Sequence, residues 1–310
     1  MAQTFARLGS AVVLVEMADR LLSREDDDVS ELVRARLQSE GVRVITGHKA
    51  ISVEREVGGD DVLVCEHGEN SLRIAFDAIL VAVGRVPRVA GYGLEELKIP
   101  LREKGKTIET DDYLRTPFPN IYACGDVAGP FQLTHAGAHQ AWYAAVNALF
   151  GTFKKFKADY RVMPAVTFTD PEVARVGLNE REARQQDIQF EVTRYELDDL
   201  DRALAEREPL GFVKVITAKG KDSILGATCV GAHAGEWMVE FVLAMKYKIG
   251  LNKILGTVHA YPTWAEANKY AAGNWKRAHA PQRVMNWLQR YHHWRRHERR
   301  RADSDSEASA

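Results

Sequence analysis

The sequence predicts an α/β protein in which incomplete doubly wound sheets precede a compact α+β domain. Three observations carry this. Over residues 2–83 helical stripes alternate with short apolar runs, the pattern of a doubly wound sheet. The chain opens inside a helix, so the strand expected beneath that helix is absent from the sequence. At Pro164 the pattern changes to strand-like stretches alternating with helices.

In order, residues 2–9 (AQTFARLG) read as the end of a helix. Phe5 and Leu8 share a face there, and Gly9 can supply a left-handed cap. Residues 11–16 (AVVLVE) read as a buried parallel strand ending in a carboxylate. Val29, Leu32, Val33 and Leu37 form one stripe of a helix over 27–40, closed by Gly41. Residues 42–46 form a strand, and 51–57, 61–66 and 71–76 a β-meander with turns at Gly58-Gly59 and His67-Gly68. Residues 78–83 (AILVAV) read as a further buried strand ahead of Gly84. A short strand over 121–123 and an Ala-rich helix over 134–150 follow. Strands are then expected over 164–169, 191–196, 211–217 and 224–230, with helices over 179–185, 234–247 and 264–278. A basic helix over 281–301 leads to a polar, disordered tail over 302–310. The expected domains are residues 1–83, 84–158, 159–278 and 279–310.

Composition excludes several classes. The chain has 310 residues and a formal net charge of -1, which argues against a nucleic-acid binder. Three cysteines (Cys65, Cys124 and Cys229) cannot form a disulfide framework and fit a reducing, cytoplasmic compartment. No apolar run reaches the ~18 residues of a membrane span, and nothing resembles a signal peptide.

Two places carry chemistry. Glu16 ends an apolar strand, where a carboxylate can accept from both hydroxyls of an adenosine ribose and repel a 2′-phosphate; a strand-end Glu in solvent is the alternative. The segment Ile121 to Asp126 (IYACGD) puts a Gly and an Asp after a short strand, a means of offering a carboxylate to a polyhydroxyl chain or of capping a turn. The helix start after it, at Leu133-Thr134-His135, offers free N–H groups to an electron-rich ring edge.

Four segments in order then resemble the class I pyridine nucleotide–disulfide oxidoreductases, the lipoamide dehydrogenase and mercuric reductase group of flavoenzymes. They are Gly84-Arg85-Val86-Pro87, Thr116 through Asp126, Pro164 through Gly177, and His259 through Glu266. The resemblance spans residue 1 to about 275. It implies partial NAD- and FAD-binding sheets followed by a dimerisation domain, FAD and NAD as cofactors, a small-molecule substrate, and a homodimer. By the same resemblance Glu16 is the ribose acid, Ala50 lies against adenine, and Gly84 and Arg85 lie near the nicotinamide. Gly125 and Asp126 bind the ribityl and phosphate region, and Gln132, Leu133, Thr134 and His135 touch the isoalloxazine edge. The acid/base residue of the group, a His before a Pro and five residues before a Glu, comes from the partner subunit.

The chain departs from this pattern in two ways. The His position holds Tyr261, followed by Pro262 and Glu266; a phenol is a poor base at neutral pH, though it can donate a hydrogen bond or touch a soft ligand. His259 is the alternative proton carrier. Both glycine-rich turns and the Cys-x4-Cys pair are also absent. The implied activity is electron transfer from a nicotinamide through flavin to a disulfide, dithiol or soft metal. The alternative is an inactive, truncated dimerisation fragment. His233, His279, His292, His293 and His297 lack the companions of a metal site. Arg290, Arg295, Arg296, Arg299, Arg300 and Arg301, with Trp287, Tyr291 and Trp294, read as a solvated basic helix; contact with anionic lipid, or equally with nucleic acid, is the less favoured reading.

Overall fold

The structure is a computed structural model. It describes residues 1–55, 59, 61–103 and 106–307, the last eleven of these by backbone alone. Residues 56–57 of the expected 51–57 strand, Gly58 of the expected Gly58-Gly59 turn, the side chains of His297, Arg299, Arg300 and Arg301, and residues 308–310 of the expected tail lie outside the described residues. The mixed α/β chain divides into two units, Met1–Gly177 and Leu178–Ala310.

In the first unit, α1 (Ala2–Arg7) leads to β1 (Val13–Val15), α2 (Asp27–Ser39) and β2 (Arg43–Ile45). β1 and β2 pair in parallel, Val13 opposite Arg43, as a βαβ crossover requires. The α2 stripe works as expected: Val29, Val33 and Leu37 are buried. Gly9 takes φ +95°, the left-handed value its place after a helix asks for. The α1 face behaves differently, since Phe5 and Leu8 are exposed and Gln3 is the buried residue. Gln3 pairs its amide with the Asp170 backbone, donating to the carbonyl (2.7 Å) and accepting from the N–H (2.8 Å). Arg7 bridges Glu40 and Asp170, each at 2.6 Å. Polar clasps therefore dock α1. Arg7, together with Gln3, holds the Glu40 carboxyl below its usual range.

The meander forms as β3 (Lys49–Arg55), β4 (Asp61–His67) and β5 (Asn70–Phe76), with β4 central. Its buried residues are Val62, Cys65 and Ile74.

The run Ala78–Val83 is a correction. It is not a strand, and Ile79, Leu80, Val81 and Val83 are 46%, 61%, 69% and 90% exposed. A parallel strand needs hydrogen-bonded neighbours and two covered faces, and among the described residues nothing supplies them. The expected strand over 121–123 likewise reduces to one bridge, Arg115 to Tyr122. Two small cores hold this region. One gathers Leu94, Ile99, Ile108, Ala123 and Ala128, and the other Leu114, Ala144 and Ala158. α3 (Thr134–Phe150) matches its expected range. The unit ends in the antiparallel pair β6 (Pro164–Thr167) and β7 (Glu172–Gly177). β7 was not anticipated as a strand, because the turn at Asp170-Pro171 hides the alternation that follows it.

In the second unit, α4 (Glu180–Gln185) opens with a capping box between Asn179 and Glu182. β8 (Phe190–Glu196), β9 (Phe212–Ala218) and β10 (Ile224–Gly231) pair antiparallel with β9 between the other two. The short helix α5 (Asp201–Glu206), not anticipated, links β8 to β9. β9 is buried along six of its seven residues. α6 (Ala234–Trp237) and α7 (Val239–Lys246) pack on β10 and take the place of one expected helix. α8 (Leu251–Leu255), also unanticipated, packs against α9 (Glu266–Ala278), which lies on β8 and β9. Phe212 and Phe241 are fully buried and stabilise the fold by about 2–3 kcal/mol each. α10 (Gln282–Glu307) continues as helix through the first part of the expected tail.

Candidate functional site

In the first unit the expected residues gather at two places. Glu16 follows β1 and is half-buried; its Oε1 accepts the Ala18 N–H at 2.8 Å. Its backbone joins it to the end of β2, donating to Ile45 (2.9 Å) and accepting from His48 (3.1 Å). Beside it, His48 and His67 stack with ring centroids 5.0 Å apart. Their Nδ1 atoms lie 2.7 Å from the Thr46 carbonyl and 2.6 Å from the Gly47 carbonyl. Ala50, at the start of β3, is exposed.

The second place is the N-terminus of α3. Arg85 donates to the Gln132 carbonyl at 3.0 Å, joining two segments 47 residues apart. Gly84, just before it, takes φ +131°. No side chain caps α3. Its first turn, Thr134 and His135, is exposed, and the His135 Nε2 lies 2.8 Å from the Pro164 carbonyl. Gly125 takes φ +78°, and its Cα lies 3.3 Å from where a Cβ on Gly137 would sit, so the turn lies directly on the helix. Asp126 is exposed in the short 3-10 turn Gly125–Val127.

One residue here had no sequence signal. Gln140 is fully buried in α3, and its Oε1 accepts the Gly125 N–H at 2.6 Å. Its Nε2 donates to the Gly129 carbonyl and to the Tyr160 hydroxyl, both at 2.7 Å. Burial pushes the Tyr160 phenol up, against the opposing effect of the Gln140 hydrogen bond. A Gln on a helix reads in sequence as surface, and only its tertiary partners mark it as the brace of the Gly125 turn.

In the second unit, Tyr261 is 70% exposed and Glu266 is buried at the start of α9. Glu266 Oε2 accepts the Thr263 N–H at 3.0 Å. The Tyr261 hydroxyl is hydrogen-bonded to Asp201, whose charge raises the phenol pKa. Tyr261 is thereby held as a donor and is still less suited to act as a base. The Tyr270 ring lies tilted against that of Tyr195, centroids 5.3 Å apart, and burial pushes the Tyr195 phenol up to about 12. Asp201, Tyr195 and Tyr270 escaped the sequence reading because they come from β8, α5 and α9, far apart along the chain.

His259 turns elsewhere. Its Nε2 lies 3.0 Å from Glu240, its Nδ1 3.1 Å from the Thr257 carbonyl, and its side chain is 6% exposed. Asn268 donates to the same Glu240 carboxylate at 2.9 Å. With both ring nitrogens facing oxygen acceptors, His259 is a tethered group.

The three cysteines are free. Burial pushes the thiols of Cys65 and Cys229 up, which makes both poor nucleophiles. Among the described residues no cluster of three or more His, Cys, Asp or Glu can hold a metal ion.

Residues 1–146 match the family described as pyridine nucleotide-disulphide oxidoreductase, and residues 163–272 match its dimerisation domain. A dihydrolipoyl dehydrogenase of Chlamydia muridarum is 36% identical over 265 residues, 86% of this chain and 55% of that protein. One from Thermus scotoductus is 36% identical over 273 residues, 88% of this chain and 58% of that protein. Among solved structures, the Cu(II) complex of the HOCl-induced flavoprotein disulfide reductase RclA from Escherichia coli superposes with a TM-score of 0.79 at 26% identity, covering 88% of this chain and 60% of that one. LpdA from Mycobacterium tuberculosis gives 0.78 at 26%, covering 87% and 57%. The chain thus spans little more than half the length of the relatives it matches. The uncapped α3 with its glycine turn, the carboxylate closing β1 and the two consecutive matches agree: the chain belongs to the pyridine nucleotide-disulphide oxidoreductase family.

Proposed function

We propose that this chain forms the nucleotide-ribose, flavin-edge and interface portions of an FAD-dependent, NAD(H)-preferring oxidoreductase that works as a homodimer. The observation that carries the reading is the joining of Arg85 to Gln132 at the start of α3. It joins two parts of the expected cofactor set, residues 84–85 and 132–135, at one uncapped helix terminus.

The residues present suit the two groups. Glu16 offers a ribose diol a carboxylate already steadied by the Ala18 N–H, and its charge disfavours a 2′-phosphate. The Gly125 turn leaves room for close approach, and Asp126 beside it can accept from hydroxyls. The first N–H groups of α3, from Thr134 and His135, favour electron-rich atoms. When bound, FAD supplies two-electron chemistry between a nicotinamide and a dithiol, disulfide or soft metal acceptor.

Tyr261 and Glu266 then complete the partner protomer's site. Tyr261, its O–H given to Asp201, presents its ring and an accepting phenol oxygen, and Glu266 fixes the turn that presents it through the Thr263 N–H. His259 acts at a distance, anchoring the 257–263 segment to Glu240 of α7. The redox disulfide is not part of this sequence, whose cysteines stand at 65, 124 and 229.

A second reading is a dimerising scaffold without flavin, favoured by the bare apolar run at 79–83. One preparation separates the two. The purified chain, incubated with FAD and desalted, is expected to stay yellow and to reduce a dye faster with NADH than with NADPH, a preference that Glu16→Ala diminishes. A colourless protein that still dimerises overturns the enzymatic reading for this chain.

A further inference from the structure

We propose that α10 is an interfacial anchor that lays its aromatic stripe on an anionic lipid surface. The helix begins at Gln282, beyond the residues matched to the dimerisation domain, which end at 272. Between 282 and 296 every residue is exposed except Leu288, which is half-buried. Val284, Trp287, Leu288, Tyr291 and Trp294 recur at spacings of three and four and so share one face at about 100° per residue. Trp287 and Tyr291 stack at 5.7 Å, and Trp294 stands 6.0 Å from Tyr291. The result is a continuous aromatic strip with Trp287 61% and Trp294 54% exposed.

The position of the cations identifies the partner. Arg283 and Arg290, seven residues apart, flank the strip on one side by the same periodicity. Arg295 lies within the strip, its guanidinium 6.0 Å over the Tyr291 ring. The opposite face carries Gln282, Asn286, Gln289, His293 and Arg296. Cations at the margins of an apolar strip can reach phosphates at headgroup depth while the rings enter the acyl boundary, where Trp and Tyr are favoured. A nucleic acid would instead be met by cations gathered on a face of their own. A second copy packed strip to strip would set Arg290 against Arg295 across the seam, which like charge opposes. No described helix is long and apolar enough to cross a membrane, so the mode is lying on the surface.

The test is cosedimentation of the full chain with large vesicles of phosphatidylcholine, alone or with about a third phosphatidylglycerol. Binding is expected only with the anionic vesicles and is released by high salt. Arg283→Gln with Arg290→Gln and Arg295→Gln is expected to weaken it about 100-fold, at roughly 5-fold per cation. Trp287→Ser with Trp294→Ser is expected to abolish it, and the far-UV spectrum and thermal transition of both variants should match those of the parent, since the altered side chains are exposed. Equal binding to neutral vesicles, or unchanged binding by the triple arginine variant, overturns the proposal. So does displacement from the anionic vesicles by a duplex oligonucleotide. Self-association that already shields the tryptophans from a soluble quencher without lipid overturns it as well.

Discussion

Gln140 shows how much one amide can organise. It joins Gly125, Gly129 and Tyr160, so the glycine turn before α3 is held by side-chain hydrogen bonds in place of a regular strand. Gln140→Leu keeps the volume and strands three polar groups. It is expected to cost about 3 kcal/mol in chemical denaturation and to lower flavin retention in parallel. Loss of flavin with unchanged stability would place Gln140 in ligand contact instead. The residues proposed to face a ligand were more legible than the one that braces them. Glu16 and the Gly125-Asp126 pair stand out because their chemistry is local: a carboxylate closing an apolar run, a glycine where the backbone needs positive φ. Tyr261 was legible as a position, while its partner Asp201 was not, because α5 reaches it only after the chain has folded.

Elements were legible where burial is supplied nearby. α2 and α3 took their expected ranges, each with one buried face. The run Ala78–Val83 did not, because a central parallel strand takes its stability from strands on both sides. α1 shows the reverse, with an apolar face left exposed and docking handed to Gln3 and Arg7. β10 begins with a further case of neighbour control. Gly226 lies at an irregularity in the pairing with β9, and a Cβ there would stand 1.9 Å from the Leu178 carbonyl oxygen. Gly226→Ala is expected to destabilise the second unit by more than about 3 kcal/mol, read from its thermal transition. A change below about 1 kcal/mol would mean that the 178 segment yields freely. Nothing in ILGATCVG singles out this glycine before the crossing segment is known.

At the scale of the molecule, apolar surface remains uncovered in each unit. In the second, α7 and its C-cap residue expose Val239, Leu243 and Tyr247 by 60%, 56% and 69% at four-residue spacing. A stripe of this kind suits the proposed dimer. Leu243→Glu is expected to raise the dimer dissociation constant at least 30-fold, roughly 2 kcal/mol, in sedimentation equilibrium, with little change in the far-UV spectrum. An unaltered dimer would move the interface away from α7. The sequence by itself determined the family, the alternation of elements and the residues whose role is written into their immediate neighbours, because helix period, strand end and glycine turn are local physics. Only the tertiary structure decided which apolar runs are covered, that His259 is tied to Glu240, and which polar side chains brace the site, because burial and hydrogen-bond satisfaction depend on segments brought together from distant parts of the chain.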